Sequence, residues 1–352
     1  MLKKTTLLLV LIYSYSILAQ IPDYYSSIDF NQDGTSVRVQ LSNLIINTHH
    51  TFIPYTSSST DTWDIIRDSD LEFENSNDVL LVYGYDDNDE QFINDRTRNK
   101  YDTCHTSSCI GLWNREHVFA RSLANPNLTT FEPGPGTDVH NLRAADSQKN
   151  TQRSNRLFTN GNGNSSIVDN DFYPGDEWKG DVARIIMYMY LRYPGQCEAT
   201  SSATGDISYA PENDMPDLFL EWNEQDPVSE LETRRNNIIY SFQGNRNPFI
   251  DNPYLATIIW NGPQANDNWS LLSSVDQSSS SIFISPSIAE NFINIIGAGD
   301  NSFKIYVFNQ LGQIMIEGRD EKSIDISSLS SGVYILKLIQ SSKIIQSKFV
   351  VK

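Results

Sequence analysis

WNREHVFARS, Trp113–Ser122, and DVHNLRAADSQKNTQRSN, Asp138–Asn155, are the two stretches from which the rest of this chain is read. The first sets Glu116 beside His117. The second adds a dense run of Asp, Asn, Arg and His downstream. A carboxylate and an amide oxygen are hard ligands, suited to Mg²⁺ or Ca²⁺ rather than Zn²⁺, so Glu116 and Asn150 are a candidate ion-binding pair. A neutral imidazole beside them, His117, can take a proton from an attacking water. Adjacent residues on a strand point to opposite faces, so Glu116 and His117 converge only at a bent strand or a loop end. Asp146–Asn155 has a helix-compatible composition and can present Asn150 from a helix. A strand or loop end plus a helix, pinching one metal ion, makes a workable phosphodiesterase site. The intervening loop, Leu123–Thr137, then folds back to join the two halves.

Working outward, 352 residues are about right for two domains. Hydrophobic content of 39% with 11% aromatic residues supports a real core and excludes global disorder. Three cysteines are too few for a disulfide framework. Cys104 and Cys109 lie close enough in a loop to pair or to stay free, and Cys197 is left over. Lys3 and Lys4 precede an apolar run, Leu7–Ala19, and Gln20 follows it. Residues 1–20 therefore read as a cleaved signal peptide, because the run falls short of the roughly 20 residues a bilayer span requires. No later stretch reads as transmembrane.

The net charge is −18 over the chain, +2 in the first twenty residues and +1 from Ser281 onward, so the middle carries −21. Taken alone, that balance argues against a nucleic-acid partner, because phosphate binding is driven by cations.

Between these landmarks the periodicity predicts a helix from Leu41, with His49 and His50 at its end as dipole or surface residues. It predicts a buried strand over Val79–Tyr83 and a solvated acidic loop over Asp86–Asp95. A helix is expected over Asp176–Tyr193, stopped by Pro194 and Gly195. Met215–Glu224 reads as a second amphipathic segment. A helix capped by Ser229 and Glu232 should run to about Phe242 and leave through Gly244. Residues 263–281 read as a linker ending in the Ser278–Ser281 run. The last seventy residues alternate in short strands, Phe303–Asn309, Gln313–Glu317, Gly332–Leu338 and Ile344–Val351, without a cluster of chemistry-bearing side chains.

NREH followed by DVHNLRAADSQKNTQRSN resembles the bacterial endonuclease I family of secreted and periplasmic nucleases, which belongs to the ββα-metal (His-Me finger) nucleases. GDVARIIMYMYLRYP, Gly180–Pro194, and QGNRNPF, Gln243–Phe249, resemble the family in the same order, and the resemblance covers residues 30 to 262. It implies an α+β fold, with a mainly helical nuclease domain (residues 21–262) around a ββα-metal finger. It implies one divalent cation, Mg²⁺ with Ca²⁺ or Mn²⁺ as alternatives. By motif position, His117 is the general base, with Glu116 and Asn150 as metal ligands. Asn141 would orient the finger or the His loop, Asp138 and His140 would brace that loop, and His140 is the competing base. A phosphate-clamping Arg is implied but not singled out among Arg115, Arg121, Arg143, Arg153 and Arg184. Arg153 is preferred because it lies one helical turn beyond Asn150. Ala120 stands where the family often has Pro, and Trp113 where Tyr is common.

IYVFNQLGQIM, Ile305–Met315, IDISSLSSGVYILKL, Ile324–Leu338, and the closing KFVVK resemble a type IX secretion sorting domain, a small all-β sandwich over residues 282–352. Ser285-Pro286-Ser287 departs from its usual opening. The two resemblances imply a secreted monomeric endonuclease that acts on DNA and RNA without strong sequence preference and uses the type IX secretion machinery. Two rivals stand beside it: a non-enzymatic surface adhesin exported by the same signal, and a phosphodiesterase for another ester.

Overall fold

The structure, a computed structural model, describes residues 21–106, 109–272, 283–286, 288–296, 302–340 and 343–352. The expected signal peptide and the Ser278–Ser281 run lie outside the described residues. The chain divides between Ser270 and Leu271 into two compact units.

Capping residues set the helix starts in the first unit. Asp33 accepts Ser36 N at 3.0 Å, so α1 (Gly34–Thr48) begins well before Leu41 and buries Val37, Leu41 and Ile45. Asp61 and Asp64 form a reciprocal capping box for α2 (Thr62–Ser69). The strand expected over Val79–Tyr83 is shorter. Only β1 (Asp78–Leu80) pairs with β2 (Thr97–Asn99). Leu81 N then turns to Arg96 O and Val82 N to Ala144 O, and Tyr83 takes a φ of 75° that ends extended structure.

Two further pairs follow: β3 (Trp113–His117) with β4 (Leu142–Asp146), and β5 (Ser166–Val168) with β6 (Asp171–Tyr173). Between the pairs lies α3 (Ser147–Arg153). The central helix α4 (Lys179–Arg192) is buried nearly all round and packs against α1, α5 (Asp217–Gln225) and α7 (Pro248–Asp251). Its polar residues are matched inside the protein: Arg184 forks onto both oxygens of Glu232 at 2.6 and 2.8 Å. α6 (Glu230–Gln243) starts at the Ser229–Glu232 capping box and ends at Gly244, whose φ of 88° a side chain would resist. α8 (Tyr254–Trp260) follows.

Residues 265–269, expected to lie in a linker, pack into the first unit. Ala265 and Trp269 are buried, and the Trp269 ring lies 4.6 Å from Tyr25 and 5.7 Å from Phe30. His49 is not a surface residue either: it is buried and its Nδ1 accepts Arg192 Nε at 3.2 Å.

The second unit holds two sheets. One has the order β11 (Ile314–Arg319), β10 (Phe303–Phe308), β13 (Gly332–Gln340), β14 (Lys343–Val351) and β8 (Ile288–Ala289). The other has the order β12 (Ser323–Asp325), β9 (Phe292–Ile296) and β7 (Phe283–Ser285). Alternating residues of both sheets, among them Ile293, Ile305, Ile324, Leu338 and Phe349, build one apolar core between them. Among the described residues no helix is long and apolar enough to cross a membrane.

Candidate active site

Strands β3 and β4 pair antiparallel from Trp113↔Asp146 to His117↔Leu142, and α3 follows β4 at once. Asp146 makes that junction: it closes β4 and accepts Gln148 N and Lys149 N at 2.8 and 3.0 Å as the helix cap. Arg98 of β2 holds the other oxygen of Asp146 at 2.5 Å. The first residue of α3, Ser147, is pinned through Oγ to Cys109 N and O at 2.7 and 2.5 Å. Cys109 is in turn bonded to Cys104 as a disulfide, and Cys197 is free and buried.

Side chains alternate along β3 as a strand requires. Asn114 and Glu116 share a face, and Asn150 Nδ2 donates to Asn114 Oδ1 at 2.8 Å. Arg115 and His117 lie on the other face, against the ring of Tyr55. His117 is the last residue of the strand, and there the two faces meet in a cavity of about 450 Å³. Its lining includes Arg115, Glu116, His117, Arg121, Asn150 and Arg153.

Each of these groups is held in a definite state. His117 is 8% exposed, and its Nε2 lies 2.8 Å from Gly136 O. A carbonyl only accepts, so Nε2 carries the hydrogen and Nδ1 is the unprotonated nitrogen. Burial pushes the imidazolium pKa down to about 4, which leaves the ring neutral at pH 7. The returning loop supplies that carbonyl, and Gly136 is needed there because a Cβ would stand 2.0 Å from Thr129 O. Glu116 is buried, accepts Tyr83 OH at 3.1 Å and lies 3.3 Å from an Arg153 terminal nitrogen. Burial outweighs both and pushes its carboxyl up to about 7.

Asn141 lies outside this cavity lining and is fully buried. It grips the backbone of one residue beyond the strand on both sides, accepting Phe119 N at 2.7 Å and donating to Phe119 O at 3.2 Å. Asp138 accepts Tyr188 OH, Tyr193 OH and Gln243 Nε2 at 2.7, 2.8 and 2.9 Å. Burial alone would raise its carboxyl, but His49, His140 and these donors hold it at about 2. His140 is buried away from the cavity, its Nε2 3.2 Å from Asn245 O and its ring against Tyr188.

Burial pushes His140 down to about 4, with Arg235 and His49 adding to the effect and Asp138 opposing it. The unfolded ring titrates near 6.5, so the folded state binds fewer protons. Stability is full above about pH 6.5 and is lost as pH falls toward 4, by up to roughly 3 kcal/mol. Urea midpoints measured from pH 8 to pH 4 are expected to fall across that window, and His140→Gln is expected to flatten the fall. An unchanged slope in His140→Gln would assign the loss to other groups.

The arginines separate sharply. Arg143 and Arg184 are fully buried in ion pairs with Asp70, Asp181 and Glu232 and do not reach the cavity. Arg153 lines the cavity but is 0% exposed. Its terminal nitrogens are committed to the carbonyls of His117, Val118 and Ser154 at 3.2, 2.7 and 3.1 Å. That guanidinium braces the strand end. Arg121 is exposed, and among the described residues only its Nε is engaged, on Leu128 O at 2.9 Å.

The donor set suits a hard divalent cation. Among the described residues no three His, Cys, Asp or Glu side chains gather as a metal cluster. What the cavity offers is a buried carboxylate and an amide whose Nδ2 is fixed, leaving Oδ1 uncommitted by that bond. Mg²⁺ is commonly held by so few protein groups, with waters and substrate phosphate completing its shell. Tyr55, Tyr83, Gly136 and the Ser147–Cys109 link were not readable from the sequence, because each acts through a long-range contact.

Residues 33–254 match the endonuclease I family. The chain belongs to that family. Residues 284–352 match the secretion system C-terminal sorting domain. An extracellular ribonuclease of Bacillus subtilis (strain 168) is 36% identical over 248 residues, covering 67% of this chain and 78% of the relative. An extracellular ribonuclease of Bacillus amyloliquefaciens is 37% identical over 240 residues, covering 65% and 75%. Endonuclease-1 of Buchnera aphidicola is 29% identical over 126 residues, covering 32% and 46%. This endonuclease I family member is thus a nuclease carrying a type IX sorting domain, secreted or held at the cell surface, and the adhesin reading has no support. The acidity of the middle segment does not exclude nucleic acid, since Arg115, Arg121 and Arg153 line the cavity itself.

Proposed function

We propose that this nuclease hydrolyses phosphodiester bonds of DNA and RNA with a divalent cation at a ββα-metal finger formed by β3, β4 and α3. The observation that carries the reading is the single cavity lined by Glu116, His117 and Asn150. Glu116 and Asn150 would hold Mg²⁺, with Ca²⁺ or Mn²⁺ as alternatives. When bound, the cation would offset charge growing on the phosphate and the leaving oxygen.

His117 is the general base. Its Nδ1 takes a proton from the attacking water, and the Gly136 carbonyl holds the tautomer that leaves Nδ1 open. Asn141 fixes Phe119, and Arg153 fixes the His117 and Val118 carbonyls, so the strand end cannot swing the ring away. Arg121 is the cation that meets the substrate phosphate, since its terminal nitrogens are the uncommitted ones. We propose that the protein acts as a monomer. Backbone contacts rather than base reading supply the affinity.

Purified protein is expected to nick supercoiled plasmid and fragment RNA with Mg²⁺ and to do neither with EDTA. Full activity in EDTA would remove the metal from the mechanism. Glu116→Gln and Asn150→Ala are each expected to raise the Mg²⁺ concentration for half-maximal activity by at least about tenfold. An unchanged titration would move the ligands elsewhere.

The C-terminal unit is the delivery signal for the catalytic unit. Truncation after Ser270 is expected to keep nuclease activity in the purified protein and to abolish export. Loss of activity in that truncation would make the second unit part of the enzyme.

A further inference from the structure

A second cavity, of about 430 Å³, lies along β3 from the first, and its lining includes Tyr55, Thr56, Trp63, His105, Asn114 and Arg115. Arg115 lines both cavities, and Asn114 ties the second to Asn150 of the first. We propose that it is a subsite for an unpaired nucleotide flanking the scissile phosphodiester. This rests on the nucleolytic reading above.

Its chemistry differs from that of an ordinary polar cleft. The Arg115 guanidinium lies 3.4 Å from the Tyr55 ring centre and 4.1 Å from that of Trp63. Its nitrogens bond the Tyr55 carbonyl, Thr62 Oγ1 and Thr56 Oγ1. Among the described residues no carboxylate lies within ion-pair distance of it, and its Nε has no acceptor. Trp63 is 4% exposed, and its indole Nε1 likewise has no acceptor. A partly buried Arg115 guanidinium with no carboxylate partner gives the cavity a cationic wall, which favours an anionic, acceptor-rich occupant.

The aromatic side of the cavity narrows the occupant further. The His105 ring is exposed and lies 5.0 Å from the Trp63 ring. It is held there by Thr103 Oγ1 at 3.1 Å from its Nε2 and by the disulfide at Cys104. Nucleobases stack on such rings when freed from a duplex, and sequence matters little because every base has a π-face. Phosphate and sugar then lie toward Arg115 and the Thr56 hydroxyl, and the next phosphate of the strand falls toward Glu116 and His117. The subsite adds affinity for a single strand.

The test compares two substrates in the full chain with Mg²⁺: a single-stranded oligonucleotide, and bis(p-nitrophenyl) phosphate, a minimal diester that reaches the scissile site alone. His105→Ala and Thr56→Val are expected to raise KM for the oligonucleotide by about tenfold with kcat unchanged. Both are expected to hydrolyse the minimal diester at the wild-type rate. Unchanged oligonucleotide KM in both variants overturns the subsite, and so does a parallel loss on the minimal diester. If the wild-type protein cleaves neither substrate, the nucleolytic reading itself has failed.

Discussion

His117→Ala lowers plasmid nicking by roughly 10²–10⁴-fold, the range that general-base catalysis contributes, while the protein stays folded. The chemical argument is the state of the ring. Burial holds the imidazole neutral, the Gly136 carbonyl takes the Nε2 hydrogen, and Nδ1 is left as the acceptor. The stability argument is separate. The variant loses one hydrogen bond and one stacked contact with Tyr55, about 1–2 kcal/mol, against a typical 5–15 kcal/mol for a folded domain. Circular dichroism and the thermal midpoint should therefore stay near wild type, and added imidazole should restore part of the rate. Nicking within a few-fold of wild type would end the assignment of His117 as base.

Asp70→Ala has the largest expected effect on stability. Asp70 is fully buried and accepts Arg143 Nε at 3.0 Å, Arg235 at 2.5 Å and Ala144 N at 2.9 Å. Burial alone would raise its carboxyl, but Arg235 and Arg143 keep it below the usual range. Deleting the carboxylate leaves the buried Arg235 guanidinium without its carboxylate and Arg143 with Asp181 alone, which costs about 3–5 kcal/mol. Ala144 belongs to β4, so the hairpin that carries Glu116 and His117 loosens with it. Urea denaturation at pH 7 is expected to register the full loss. Asp70→Asn, which keeps acceptor capacity but not charge, should fall between. A change below about 1 kcal/mol in Asp70→Ala would mean that the arginines find other partners.

Much of the architecture was legible because its causes are local. The Ser229–Glu232 capping box and the Gly244 exit bound α6 where the sequence reading put them, since a cap depends on residues a few positions apart. The alternation of the last seventy residues survives as strands with one buried face. Helix α1 starts ahead of its apolar stripe because Asp33 caps it there. The strand at Val79 was overextended because Leu81 and Val82 find hydrogen-bond partners outside the β1–β2 ladder.

The sequence by itself determined the residue types of the site, their order along the chain, and the two-unit organisation with its export signal. It carried Glu116, His117 and Asn150 as a candidate set, since hard-metal and proton-transfer chemistry can be read from functional groups. Only the tertiary structure decided which nitrogen of His117 is open, and that Arg153 braces the strand end while Arg121 faces outward. It alone showed that a disulfide-held loop seats α3 and lines a second cavity. These depend on burial and on partners far apart in sequence, such as the Gly136 carbonyl and the His117–Val118 backbone, and spacing along a chain carries no record of such contacts.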